Sequence, residues 1–161
     1  MLKPVLSLVL ILCTTLVGNY FSLKLSSRRE TVESLLQGVT RLKTQICFGG
    51  IDIFTAVSEC FGADIIRNLP HDGESISEYW SRQVDLIPIS SGLNKDDRKI
   101  IKDFGQNLGV TDIEGQINNC ELYLRLFEDM LNNSKELEKT RSRLYRILGF
   151  SCGAVVTLVV L

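Results

Sequence analysis

Two long uncharged runs frame the chain. Residues 4–23 are twenty positions without Asp, Glu, Lys or Arg, closed by Lys3 and Lys24, and residues 147–161 are fifteen more, preceded by Arg146. At about 1.5 Å rise per residue the first run covers roughly the 30 Å hydrocarbon core of a bilayer. The second reaches only about 22 Å and would have to recruit Leu144 and Tyr145 while Arg146 snorkels. The pattern between them is helical. Val32, Leu35, Val39, Leu42 and Ile46 recur at spacings of three and four, one face of a helix that runs on from the first span and stops at Gly49-Gly50. A shorter helix is expected around residues 53–60, ended by Gly62, with a turn near residues 64–69. Three capping boxes follow: Ser75 with Glu78, Asn94 with Asp97, and Thr111 with Glu114. In each, the first side chain accepts from a free backbone N–H and the acid favours the positive helix end. In the last and longest helix Ile113, Ile117, Cys120, Leu124, Phe127 and Leu131 form one apolar stripe, and Leu122, Leu126 and Met130 form a second. Two stripes predict contact on two sides, as inside a bundle.

The expected fold is therefore all-α: a bundle of about six helices at residues 24–143, flanked by an N-terminal transmembrane helix at 1–23 and a C-terminal one at 144–161. A secretory signal is the competing reading of the first run, but no Ala-x-Ala site follows it, and Lys24, Arg28 and Arg29 hold its far end in the cytosol. Basic residues gather at the inner flanks of both runs, which orients the domain towards the cytosol with both termini outside.

Net charge is −1, and it hides a gradient. Residues 44–134 hold seven Lys and Arg against fifteen Asp and Glu, whereas the stretches 24–43 and 135–146 together hold ten basic residues against four acidic ones. A basic base below an acidic body argues against nucleic-acid binding and favours anionic lipid. The five cysteines are odd in number and form no C-x-x-C, so reduced thiols are expected.

Catalytic chemistry finds little support. The single histidine, His71, sits in a Pro-His-Asp-Gly turn, no phosphate-binding loop occurs, and Asp96-Asp97 lies in a first helical turn where acids belong. No catalytic residue, cofactor, metal site or small-molecule substrate is expected. Trp80 is either core or an interface anchor. Gly149 and Gly153 make a G-x-x-x-G face that lets another helix approach closely, and Gly18 falls at a similar depth from the inner flank of the first run. Packing of the two spans on each other is expected, with homo-oligomerisation through the same face as the alternative.

Residues 108–116 read Leu-Gly-Val-Thr-Asp-Ile-Glu-Gly-Gln, an L-G-x-x-D-x-x-x-Q element. Gly109 suits a left-handed helix stop, Thr111 suits the next cap, and Asp112 and Gln116 share a face at i, i+4, so they can bond each other or present a joint polar patch. Leu108, Gly109, Asp112 and Gln116, with Trp80, are the candidate structural or partner-contact residues. Together with the Met-Leu-Lys start, Ser27-Arg28-Arg29, Thr44-Gln45-Ile46 and the closing Arg146-Ile147-Leu148-Gly149-Phe150, the element resembles the stage III sporulation protein AB family of endospore-formers, over nearly the whole chain. It departs from that family at Gln45, where a glutamate is usual, and at residues 50–53. The resemblance implies a subunit of the mother-cell membrane complex that faces the forespore, with a cytosolic part similar to a domain of the type II secretion platform protein. It also implies a place between a cytosolic secretion-type ATPase and membrane components. The reading is a scaffold without chemistry of its own; the alternative is a tail-anchored coiled-coil tether working through the stripe from Ile113 to Leu131.

Overall fold

Helix boundaries fall where short polar side chains and glycines can satisfy free backbone groups. The structure, a computed structural model, describes residues 2–49 and 52–160. Its elements are α1 (Leu2–Phe48), α2 (Ile53–Cys60), α3 (Ile76–Leu86), α4 (Lys95–Gln106) and α5 (Ile113–Val160), with a 3-10 turn at Ile89–Ser91. No strand occurs among the described residues. The all-helical class is as expected, with five α-helices rather than about six. α1 stops at Gly49, which takes a left-handed φ of 69°, the conformation that costs glycine least. α2 starts at Asp52, whose carboxylate accepts from the N–H groups of Phe54 and Thr55. The capping boxes Ser75/Glu78 and Asn94/Asp97 both form.

The third expected cap is corrected. Asp112, not Thr111, covers the first turn of α5, with Oδ1 accepting from Gly115 N at 2.9 Å. Gly109 is left-handed as anticipated (φ 73°), but α4 already ends at Gln106, so Gly109 shapes the corner rather than closing that helix.

The chain divides into two units, Met1–Arg29 with Asn133–Leu161, and Glu30–Asn132. In the first, the two helical stretches are tied by polar contacts: Ser26 Oγ donates to Glu138 Oε1 (2.9 Å) and Arg29 Nε pairs with Glu138 Oε2 (2.8 Å). Among the described residues no helix is long and apolar enough to cross a membrane. This finding does not support the two flanking transmembrane helices expected from sequence. Most of both uncharged runs, including Gly149 and Gly153, lies outside the residues whose surroundings are described; Gly18 is described and buried.

The second unit holds the core. Val32, Leu35, Val39 and Leu42 are fully buried, as their spacing implies. Trp80 is also 0 % exposed, and its Nε1 donates to Ile101 O at 2.6 Å. Its ring lies edge-on to Phe61 (4.8 Å between centroids) and Phe104 (5.4 Å), and Phe104 in turn meets Tyr123 (5.3 Å) and Phe127 (6.2 Å). Such edge-to-face pairs add about 0.5–1.5 kcal/mol each beyond their buried area. Two glycines make room for them. A Cβ at Gly105 would stand inside the Trp80 indole, and one at Gly38 inside the Phe61 ring. The stripe of α5 is buried at Cys120, Phe127 and Leu131, but Leu122 and Leu126 stay exposed, so that helix packs mainly on one side.

The segment between α2 and α3 has no regular helix, yet it is tied down. Gln83, fully buried, accepts from the N–H groups of Arg67 (2.9 Å) and Asn68 (3.2 Å) and donates to Asn68 O (3.1 Å). Tyr79 Oη also donates to Asn68 O. Arg82 pairs with Glu74 at 2.7 Å, and His71 is a turn residue whose N–H donates to the same carboxylate. The Arg82 guanidinium beside Glu74, aided by that N–H, holds its carboxyl down at about 2.

Two outcomes follow from these contacts. Gly→Ala inside a helix ordinarily stabilises by about 0.5–1 kcal/mol; at Gly105 the sign should invert, with a loss of roughly 2 kcal/mol from overpacking against Trp80, read by chemical denaturation. For Glu74, a depressed folded pKa means stability that is present above the unfolded value near 4.3 and lost as pH falls towards 2. Glu74→Gln should therefore lower Tm at pH 6, and the gap from wild type should close between pH 4.5 and 2.

Candidate functional site

The L-G-x-x-D-x-x-x-Q element folds into the corner between α4 and α5. Leu108 is fully buried and anchors the corner to the core, while Gly109 turns the chain with its backbone close to Ile76: a Cβ there would lie 3.1 Å from Ile76 Cγ2. Gln116, 5 % exposed, then fastens the corner from inside α5. Its Nε2 donates to Asn107 O (2.9 Å), Thr111 Oγ1 (2.9 Å) and, more weakly, Thr111 O (3.4 Å). Two backbone carbonyls on one side of the amide fix which end is the NH₂. The polar patch expected from Asp112 and Gln116 thus takes another form: Asp112 turns to the α5 first turn and Gln116 to the corner.

The same corner forms one wall of an open cleft with room for about 190 Å³. The end of α1 and the glycine that stops it contribute Gln45, Ile46 and Gly49, α2 contributes Ile53 and Ala56, and the corner and α5 contribute Gly109, Thr111, Ile113 and Gln116. Exposed apolar residues stand at or beside it: Ile113 is 59 % exposed, Val110 73 % and Phe48 85 %. The cleft joins two segments that sequence singled out separately, Thr44-Gln45-Ile46 and residues 108–116. Ile46, Ile53 and Ile113 gave no sign of lining a site, because their spacing reads equally well as core. The two left-handed glycines, Gly49 and Gly109, were the available signal, since both line the cleft.

Its polar groups are matched with one exception. Gln45 Nε2 donates to Glu59 Oε2 (3.3 Å) and its Oε1 accepts from Cys60 Sγ (3.1 Å). A glutamate at 45 would set a second carboxylate beside Glu59 with no hydrogen to donate to it. Gln116 Oε1 is the exception: among the described residues it is the buried side-chain oxygen or nitrogen without a hydrogen-bond partner, a condition that costs about 1–3 kcal/mol. Trp80, the other candidate contact, lies in the core and away from solvent.

Amides, a hydroxyl and isoleucines recognise; they do not supply an acid, a base or a nucleophile. Burial pushes the Cys60 thiol up and Cys120 to about 11, so both stay protonated at neutral pH. Cys13 and Cys47 are unbridged as well, and Cys152 is among the residues whose surroundings are not described. Among the described residues no group of three or more His, Cys, Asp or Glu could hold a metal ion.

Gly109→Val tests the corner. A β-branched residue at φ 73° costs about 1–2 kcal/mol in backbone strain alone, and its methyls would press on Ile76. The variant should melt lower than wild type, and an unchanged Tm would remove the left-handed corner.

A family model described as stage III sporulation protein AB matches residues 3–161. The stage III sporulation protein AB of Bacillus subtilis (strain 168) is 22 % identical over 172 residues, covering 100 % of both chains. No solved structure matches the chain. On the strength of a family match that runs almost from end to end, the chain belongs to the stage III sporulation protein AB family.

Proposed function

We propose that the chain is a non-enzymatic membrane scaffold subunit of a sporulation-specific, secretion-like complex between mother cell and forespore. Its bundle couples a cytosolic secretion-type ATPase to membrane components, with a cytosolic domain similar to that of the type II secretion platform protein. The observation that carries the reading is the open, apolar-walled cleft built from the L-G-x-x-D-x-x-x-Q corner and the end of α1, which offers recognition without catalytic groups. Anchorage in the mother-cell membrane rests on sequence: the runs 4–23 and 147–161, and the basic flanks that bind anionic lipid and face the bundle to the cytosol.

The tether alternative needs the stripe from Ile113 to Leu131 to be free for other chains. Cys120, Phe127 and Leu131 of that stripe are buried within this one, which disfavours it.

The test is co-purification from detergent-solubilised membranes of sporulating cells. Phe48→Ser with Ile113→Ser removes two exposed apolar side chains beside the cleft without touching the core; Leu122→Ser does the same on the open face of α5. The cleft double variant should lose the ATPase and membrane subunits at least tenfold, and the Leu122 variant should retain them. Equal retention by both would overturn the cleft as the contact.

A further inference from the structure

Nine consecutive residues between Asp85 and Lys95 carry no charge, the longest such stretch between Lys24 and Arg146. They make up the end of α3, the 3-10 turn and the cap of α4. Ile87, 3 % exposed, is anchored in the core. Two positions on, Ile89 stands 80 % exposed, with Leu86, Pro88 and Ser90 exposed beside it in the chain. The turn that carries Ile89 is braced. Arg98 reaches over from α4, its Nη1 donating to Val84 O (2.9 Å) and its Nη2 to Ile87 O (2.8 Å) and Pro88 O (3.3 Å). Ser91 N donates to Pro88 O, and Gly92, left-handed at φ 75°, donates its N–H to Ile89 O. Chain that enters a lipid interface gives up water at its backbone, and carbonyls already matched remove most of that cost. Leu69, 82 % exposed, makes a contrast, because its turn runs between Arg67 and Asp72.

Place and charge point the same way. Thr31 Oγ1 donates to Ser91 O (3.4 Å), which sets the turn against the first residues of the unit Glu30–Asn132. From there α1 runs back through Arg29, Arg28 and Lys24 to the uncharged run 4–23, whereas the cleft lies on residues 45–49, at the far end of that helix. The body as a whole is acidic, but this end of it is not. Asp85 is paired with Lys102 at 2.7 Å, Asp97 is buried as part of the α4 capping box, and Arg98 is bonded to neutral carbonyls. On the first two turns of α4 the exposed charges are Lys95 and Lys99 against Asp96.

We infer that residues 86–92 form a membrane-contact turn, with Ile89 entering the headgroup–acyl boundary of an anionic leaflet and Arg98, Lys95 and Lys99 meeting lipid phosphates behind it. The inference rests on the reading that the run 4–23 anchors the chain, and adds a second point of contact that holds the bundle against the bilayer surface.

The experiment uses the full chain with ¹³C-labelled isoleucine δ1 methyls in phosphatidylcholine–phosphatidylglycerol nanodiscs that carry a lipid nitroxide near the headgroup end of the acyl chain. An interfacial side chain sits about 5–10 Å into that boundary, so the Ile89 methyl should relax at least about fivefold faster than the equally labelled Ile113, which is exposed at the cleft end. The enhancement should fall at least about twofold in phosphatidylcholine alone or in about 0.5 M salt. Lys95→Gln with Lys99→Gln, both exposed, should erase that lipid preference. Ile89→Ser should keep the wild-type Tm, because the side chain touches little, and should relieve most of the broadening at the Gly92 amide.

Equal enhancement at Ile89 and Ile113 overturns the inference, and so does an Ile89 effect that is the same in both lipids. If Ile11, within the run 4–23, is broadened while Ile89 is not, the anchor stands and the second contact falls; if neither is broadened, both fall. Loss of a co-purifying subunit from the Ile89→Ser variant, with the Ile89 methyl silent to the lipid label, would give the turn to a protein partner and overturn it as well.

Discussion

A buried indole N–H must find an acceptor, and Trp80 finds the main-chain carbonyl of Ile101 inside α4. To reach it, the ring has to lie against the helix backbone itself. That approach is open only because Gly105, one turn further along, has no side chain. Once the indole is seated there, Phe61 and Phe104 pack on its flanks, Tyr123 and Phe127 pack on Phe104, and Gly38 of α1 closes over Phe61. Helices α3, α4 and α5 of the unit Glu30–Asn132, with the residue that ends α2, are thus joined by a chain of aromatic contacts that starts from one hydrogen bond. The cleft inherits its shape from this arrangement, because Leu108 and Ile76, which hold the α4–α5 corner in place, belong to the same core.

Much of this was legible in the sequence wherever a local rule decides. The period of three and four in α1, the stop at Gly49 and the capping boxes at Ser75 and Asn94 each depend on a few neighbouring residues, and each formed as expected. The misreading at Thr111 was local as well: Thr111 and Asp112 can both cap, and the corner claimed the Thr111 hydroxyl for Gln116. What could not be read depends on contacts distant in the chain. Gly38 and Gly105 look like helix weaknesses until the rings that occupy their space are known. Gln83 reads as a surface residue on α3, yet it is buried with each of its polar atoms bonded to the segment before that helix. Leu122 and Leu126 carry the right period for burial but have no partner surface within the unit, and periodicity alone cannot tell which of two apolar stripes is covered.

The candidate site shows the same division. Its motif residues were visible, and two of them, Gly109 and Gln116, line one cleft with Thr111 and Ile113 of the same element. The opposite wall, from the end of α1 and the start of α2, could be assigned only once folding had brought residues 45–56 and 109–116 together. The role of Gln45 is visible only in that setting, where Glu59 and Cys60 supply an acceptor and a donor for its amide. These two bonds join the end of α1 to the end of α2, at Cys60 and the residue next to it.

The segment between α2 and α3 carries a consequence for how the molecule opens. A stretch without helix or strand would ordinarily exchange its amide protons with solvent as quickly as a free chain. The N–H groups of Arg67 and Asn68, however, are held by a glutamine that is itself sealed in the core. Releasing them means withdrawing Gln83, a buried residue of α3, from the core, an event on the scale of losing that helix. In hydrogen exchange these two amides should behave as members of the same cooperative unit as the α3 backbone, so that a segment loop-like in geometry is, in its opening energetics, part of a helix.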